Sequence, residues 1–308
     1  MSSATPPRHA SPRPGALAVA LPIGVAVTAI GALWALADVS ASADQAEQPV
    51  PAAAMQLPQI EVDATVAADP CAEVEVQSAL EAGDDAAVIA AFGGGEAFRA
   101  AVAAGNAPCI SLSDPEHIWV VVNKARPLDP ESYTPSGLVS TELRTTSRSG
   151  SLREEAADAI DALAADLADA GAGTLGMNNG YRSYALQQTT YSGHVSSRGQ
   201  SGADEVSARP GHSEHQTGLA LDVISCSGGC GGIHAFGGTS ESDWVIEHAW
   251  EYGYIVRYEE GETGVTGYSP EPWHLRYIGT ELAAAYHAGG YTTLEEFFGL
   301  DAAPDYLD

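Results

Sequence analysis

Basic residues are scarce in this chain. Thirteen Lys and Arg stand against 41 Asp and Glu in 308 residues, a formal net charge of −28. Such a surface repels phosphate backbones, which excludes DNA or RNA as a partner. It suits instead a soluble protein with a strongly solvated acidic surface. Cysteine is also sparse, at four residues, Cys71, Cys109, Cys226 and Cys230. An even number in an exported chain reads as two disulfides. Proximity favours Cys71 with Cys109 and Cys226 with Cys230. A zinc clip at CSGGC is the rival for the second pair, but two thiolates alone leave a structural zinc site incomplete. A phosphate-binding loop is missing as well: GGGE at 93–96 has no strand before it and no Lys within it.

What is present begins with a single long apolar run. Residues 16–37, ALAVALPIGVAVTAIGALWALA, carry no charge and follow Arg8 and Arg13, while the acids start only at Asp38. The run is long enough to cross a bilayer as a helix, and the basic flank places the N-terminus inside and the body outside. The small residues Ala41, Ser42 and Ala43 offer a signal-peptidase site. Residues 1–43 are therefore a membrane anchor or a cleaved signal peptide, and both export the remainder. Residues 44–70, rich in Ala, Pro, Gln and acids, form a linker. Short apolar-periodic stretches between Cys71 and Cys109 predict a small helical module over 71–110.

A second unit spans 111–300. The spacing predicts a strand at 118–122 and an amphipathic helix at 152–173, with Leu152, Ala156, Ile160, Leu163 and Leu167 on one face. A short strand follows at TLGM. A helix at 242–253 has Ser242 as its N-cap, and a strand lies at YIVRY (254–258). Helices and strands mix without regular βαβ alternation, so the expected class is α+β, a central antiparallel sheet with flanking helices.

The stretch PGHSEHQTGLALDV (210–223) sets two histidines, a glutamate and an aspartate against an apolar strand. A carboxylate there needs a strong partner. Gly218 breaks the run, so His215 can sit on a loop while Asp222 faces a cleft and Leu219, Leu221 and Val223 face the core. His274, in EPWH, supplies a third ligand. His, Asp and His with one open position is the catalytic zinc pattern. Zinc lowers the pKa of a water to roughly 7, and Glu271, three residues before His274, can take the proton. His212 and Glu214 are competing or supporting groups. His117, His194, His234, His248 and His287 read as structural or exposed.

These residues resemble the VanY-type D-alanyl-D-alanine carboxypeptidases, zinc peptidases of the bacterial cell wall. The resemblance rests on VVNKARPLDPESYTP (121–135), GYRSYALQ (180–187), SEHQTGLALD within 210–223, YGYIVRY (252–258), TGY (266–268) and EPWHLRYIG (271–279). It implies Zn2+ held by His215, Asp222 and His274 in a cleft, Glu271 as catalytic base, and Arg182 as the group that binds substrate and stabilises the developing oxyanion. Ser213 and Gln187 are implied as further substrate-pocket residues. Asn179 departs from the Ser common at that position. The implied reaction is removal of the terminal D-Ala from a peptidoglycan stem peptide. The alternatives are endopeptidase cleavage of cross-links at the same site, or a non-catalytic zinc-stabilised wall-binding protein, as in the related hedgehog signalling domain. The presence of both Glu271 and Arg182 argues for an enzyme.

Overall fold

A computed structural model of the chain describes residues 69–147 and 149–307. The apolar run at 16–37, the small-residue site after it and nearly all of the linker lie outside the described residues. Within them no single helix is long and apolar enough to cross a membrane.

Three short helices come first: α1 (Val74–Ala82), α2 (Asp85–Ala91) and α3 (Gly95–Ala103). The Asp84 side chain accepts from the Ala87 N–H and so caps α2, satisfying a donor the helix leaves open. Cys71 and Cys109 are joined, closing the segment that holds all three helices. The helices do not carry a core of their own. Val88, Ile89 and Phe98 belong to the same buried cluster as Trp119, Leu152, Ile160 and Leu282. Contact is closest at Gly95, where a Cβ would fall 2.1 Å from the Glu281 carbonyl oxygen.

Next come β1 (Leu138–Ser140), β2 (Arg144–Thr145) and β3 (Ser151–Arg153), then α4 (Glu154–Asp169). Leu152, Ala156, Ile160, Leu163 and Leu167 are all fully buried, although Leu152 belongs to β3 and the helix begins two residues later. The chain continues through β4 (Leu175–Asn179), the long α5 (Tyr184–Asp204) and β5 (Ala220–Ser225). After these lie α6 (Ser240–His248), β6 (Tyr254–Tyr258), α7 (Thr263–Thr266), β7 (Glu271–Tyr277), α8 (Thr280–Gly289) and α9 (Leu294–Phe297). The N-cap of α6 is Thr239, whose hydroxyl accepts from Ser242 N–H; Ser242 itself lies inside the first turn.

Five strands form the central sheet in the order β2-β4-β5-β7-β6, antiparallel throughout except for the β2–β4 pair. β1 and β3 make a separate antiparallel ribbon. The fold is α+β.

The strand expected at 118–122 does not form. Ile118 to Val122 are all buried, yet the segment is irregular and belongs to neither sheet. Its backbone finds other partners. Arg276 Nη2 donates to the carbonyls of Ile118 and Val120, at 2.9 and 2.7 Å, and Asp85 accepts from the Ile118 N–H. A buried guanidinium does what a neighbouring strand would have done.

Candidate active site

Asp222 and His274 face each other in register on β5, the central strand of the sheet, and its neighbour β7. Asp222 Oδ1 lies 3.3 Å from His274 Nδ1. His215 reaches the same point from a single 3₁₀ turn, Glu214–Thr217, that ends at Gly218 in the left-handed region (φ 73°). A side chain at 218 would be strained, and its Cβ would sit 3.0 Å from Leu138. That turn brings His215 Nε2 to 3.5 Å from Asp222 Oδ2. One ligand atom from each of His215, Asp222 and His274 lies within 4.8 Å of the others, and all three residues are buried.

The far side of each of these candidate ligands is tied down. His215 Nδ1 donates to the Gly180 carbonyl at 2.9 Å, which leaves Nε2 to the cleft. Asn179 Nδ2 donates to Asp222 Oδ2 at 3.0 Å. Outer partners of this kind orient ligands and raise their basicity. Burial works against ionising Asp222, but His215 and His274 hold its carboxyl well below the usual range. Burial likewise opposes a charged His274, yet Asp222 and Glu214 overcome it and lift the ring to about 9. His215 shifts downward, because burial outweighs the attraction of Asp222.

Glu271 opens β7 with its carboxylate 3.7 Å from His274 Nδ1. Burial raises it to about 7, with Asp222 adding to the effect and His274 and Arg182 pulling the other way. A carboxyl poised near neutrality can both accept and return a proton. Arg182 lines the same cleft. It is anchored by its own backbone, which donates to the His215 carbonyl, and by Gln187 Oε1, which accepts from its guanidinium at 2.8 Å. Ser213 also lines the cleft, which encloses about 380 Å³ with Tyr258, Tyr268 and Trp273 among its walls.

Gln187 differs from expectation. It is fully buried, lies outside the cleft wall, and its amide donates to Ser207 and Ala208. Of the histidines read as structural or exposed, His194 lines the cleft and His117 pairs with Asp85 at 2.6 Å. His212 lines the cleft too, with Nδ1 donating to the Asn123 carbonyl.

Glu214, expected as a competing or supporting group, turns out to support the site from beneath, and the partners it does this with were not anticipated from the sequence. Glu214 is buried between Arg257 and Arg276, accepting from each at 3.0 Å, and its second oxygen lies 3.2 Å from His274 Nε2. Burial opposes its charge, but the two guanidiniums hold it strongly ionised. Glu295 completes the group, 2.7 Å from Arg257. The signal was available: an arginine inside YIVRY and another inside HLRYIG sit in apolar strands just as Asp222 does, and buried charges come paired. The second cysteine pair, Cys226 with Cys230, closes a short loop after β5.

The chain is similar to several known carboxypeptidases. The family model VanY, D-alanyl-D-alanine carboxypeptidase, matches residues 149–280. The putative carboxypeptidase YodJ of Bacillus subtilis is 40% identical over 192 residues, covering 61% of this chain and 69% of YodJ. A D-alanyl-D-alanine carboxypeptidase of Enterococcus faecium is 33% identical over 156 residues, 51% of this chain and 45% of that relative. Among solved structures, the LdcB LD-carboxypeptidase superposes with a TM-score of 0.56 at 40% identity, covering 60% of this chain and 86% of LdcB.

Proposed function

The chain belongs to the VanY family of D-alanyl-D-alanine carboxypeptidases, and from that premise we propose that it is a zinc-dependent enzyme that removes the terminal D-alanine from peptidoglycan stem peptides outside the cytoplasm. The observation that carries this reading is the convergence of His215, Asp222, His274, Glu271 and Arg182 on one cleft. Two ring nitrogens and a carboxylate oxygen, each ligand held from behind, are a donor set that fits zinc with a position left towards the cleft. Bound there, zinc supplies Lewis acidity, polarising a carbonyl and making a water acidic near neutral pH.

The chain's own residues do the rest. His215 would ligate through Nε2 and His274 through Nδ1, because their other nitrogens are engaged. Glu271 takes the proton of the attacking water and returns it to the leaving amine of D-alanine. Arg182, held in place by Gln187, binds the substrate and stabilises negative charge developing on the carbonyl oxygen. Ser213 offers a hydroxyl to the peptide. Residues 111–300 form the catalytic unit, and residues 16–37 direct export as an anchor or a cleaved signal.

A second reading has its own support, the likeness to an LD-carboxypeptidase. Here the same site would release D-alanine from an L-residue. Mass spectrometry of muropeptides incubated with the zinc-loaded protein, with Glu271→Ala as control, decides between them. Pentapeptide stems losing one alanine establish the D,D-activity. Shortening of tetrapeptides alone gives the L,D-activity, and dimers falling to monomers make it an endopeptidase. No zinc-dependent change in any of them rejects the peptidase reading in favour of binding.

A further inference from the structure

Lys124 is almost wholly buried, 4% exposed, and its ammonium is received by carbonyls rather than by a carboxylate. Nζ donates to Gly267 O at 2.6 Å and to Pro304 O at 3.3 Å. A charge taken out of water is costly unless its donors are met, so one buried cation draws two distant segments together. The first is the turn just before Tyr268. The second is the segment that follows α9.

Those segments also bond directly, Ala303 N–H donating to the Val265 carbonyl at 2.7 Å. Gly267 is in the left-handed region (φ 78°), and a Cβ on it would fall 2.5 Å from the Pro304 carbonyl oxygen and 2.8 Å from Lys124 Cδ. No side chain fits at that crossing. The ammonium lies 4.8 Å from the centre of the Tyr268 ring and 5.7 Å from that of Tyr306, close enough for attraction to both ring faces.

Tyr268 is buried and lines the cleft together with Glu271 and His274. Its hydroxyl is 3.4 Å from that of Tyr306, a long contact of the kind that shortens when substrate fills a site. Tyr306 already accepts from the Arg209 N–H at 2.8 Å, and the cations against its ring, Arg209 and Lys124, are donors only. Its own proton therefore goes to the Tyr268 oxygen, and Tyr268 keeps a proton for an acceptor in the cleft. The same parts steady the adjoining wall. His212 Nδ1 donates to the carbonyl of Asn123, next to Lys124, and its ring meets Tyr306 edge to face at 5.0 Å.

Resting on the peptidase reading, we propose that Lys124 and Tyr306 are positioning residues that act through Tyr268, locking its ring in the cleft wall and aiming its hydroxyl proton at an oxygen of the bound peptide. The site then extends past residue 300, into the segment 303–306. A donor fixed beforehand spares the substrate the cost of ordering it.

The test follows KM and kcat of the zinc-loaded full chain on synthetic pentapeptide and tetrapeptide stems, using whichever the wild type shortens, in a double-mutant cycle. Lys124→Met keeps the bulk of the side chain without the ammonium, and Tyr306→Phe keeps the ring without the hydroxyl. Each should raise KM by about five- to tenfold, the scale of one net hydrogen bond, with kcat little changed. In a Tyr268→Phe background neither should add to the loss, because the hydroxyl they serve is gone. Unchanged KM in the single variants, losses that fall on kcat alone, or losses that persist in that background overturn the proposal. If Lys124→Met shows no cooperative unfolding transition, Tyr306→Phe carries the cycle. If the wild type shortens neither stem, the peptidase reading fails, and calorimetric titration with the pentapeptide stem decides the positioning role separately. Affinity lowered by Tyr306→Phe only while Tyr268 is intact upholds it; no binding, or the same effect in both backgrounds, overturns it.

Discussion

Glu214 Oε2 lies 3.2 Å from His274 Nε2, and this contact decides which ring nitrogen the histidine offers to the cleft. The same glutamate neutralises Arg257 and Arg276. One buried carboxylate thus joins ligand orientation to the charge balance of the core.

Glu214→Gln should therefore weaken zinc binding by about 10–100-fold, the usual scale for an outer partner of a ligating histidine. The metal-free protein should also lose about 3–5 kcal/mol, since two buried guanidiniums would be left short of an anion. Competition against a zinc-binding dye and urea unfolding measure the two effects. Unchanged metal affinity would remove Glu214 from the site.

Glu271→Ala should keep its metal and lose about 10²–10⁴ in kcat, as expected for removal of a general acid–base group. Zinc content by atomic absorption accompanies the rate measurement. Near-normal turnover at full zinc content would take Glu271 out of the mechanism.

Arg276→Met keeps much of the side-chain volume but strips the bonds to Ile118, Val120 and Glu214. The expected cost is about 3 kcal/mol or more, with amide exchange at 118–122 accelerated beyond the global loss. Protection there equal to the wild type would show that the segment is held by packing alone.

His117 stacks on Trp119 and bonds to Asp85, which raises its pKa against the opposing effect of burial. A raised folded-state pKa gives stability that is fully present below the unfolded value, about 6.5, and is lost as pH rises through the folded value. The stability difference between wild type and His117→Gln should thus be larger at pH 5.5 than at pH 9. Equal differences at both would mean the pair carries no charge-linked stability.

Replacing both Cys71 and Cys109 by Ser should cost about 4 kcal/mol, from the chain entropy of a 38-residue separation, against about 2 kcal/mol for the four-residue separation of Cys226 and Cys230. Thermal unfolding of the two double variants compares them. A larger loss from the second pair would point to a role in shaping the loop after β5.

Much of the candidate site was legible because it gathers ionisable residues that a core does not tolerate unpaired. Asp222 beside LAL and His274 after EPW stood out for that reason. Arg257 and Arg276 meet the same criterion and were passed over, since their partner Glu214 is 43 residues away in one case and 62 in the other. Gln187 shared a motif with Arg182 and so read as a pocket residue. Only the packing shows it fully buried, behind the arginine it holds.

By itself the sequence determined whatever depends on near neighbours: the acidic balance, the helix over α4, the turn at Gly218, and the residue types gathered at the site. Tertiary structure alone decided the pairing of Asp222 with His274, the nitrogen each histidine presents, and the use of Arg276 in place of a strand at 118–122. Periodicity and propensity act over a few residues. Strand register and the neutralising of buried charge are settled between segments far apart in the chain, where no local pattern records them.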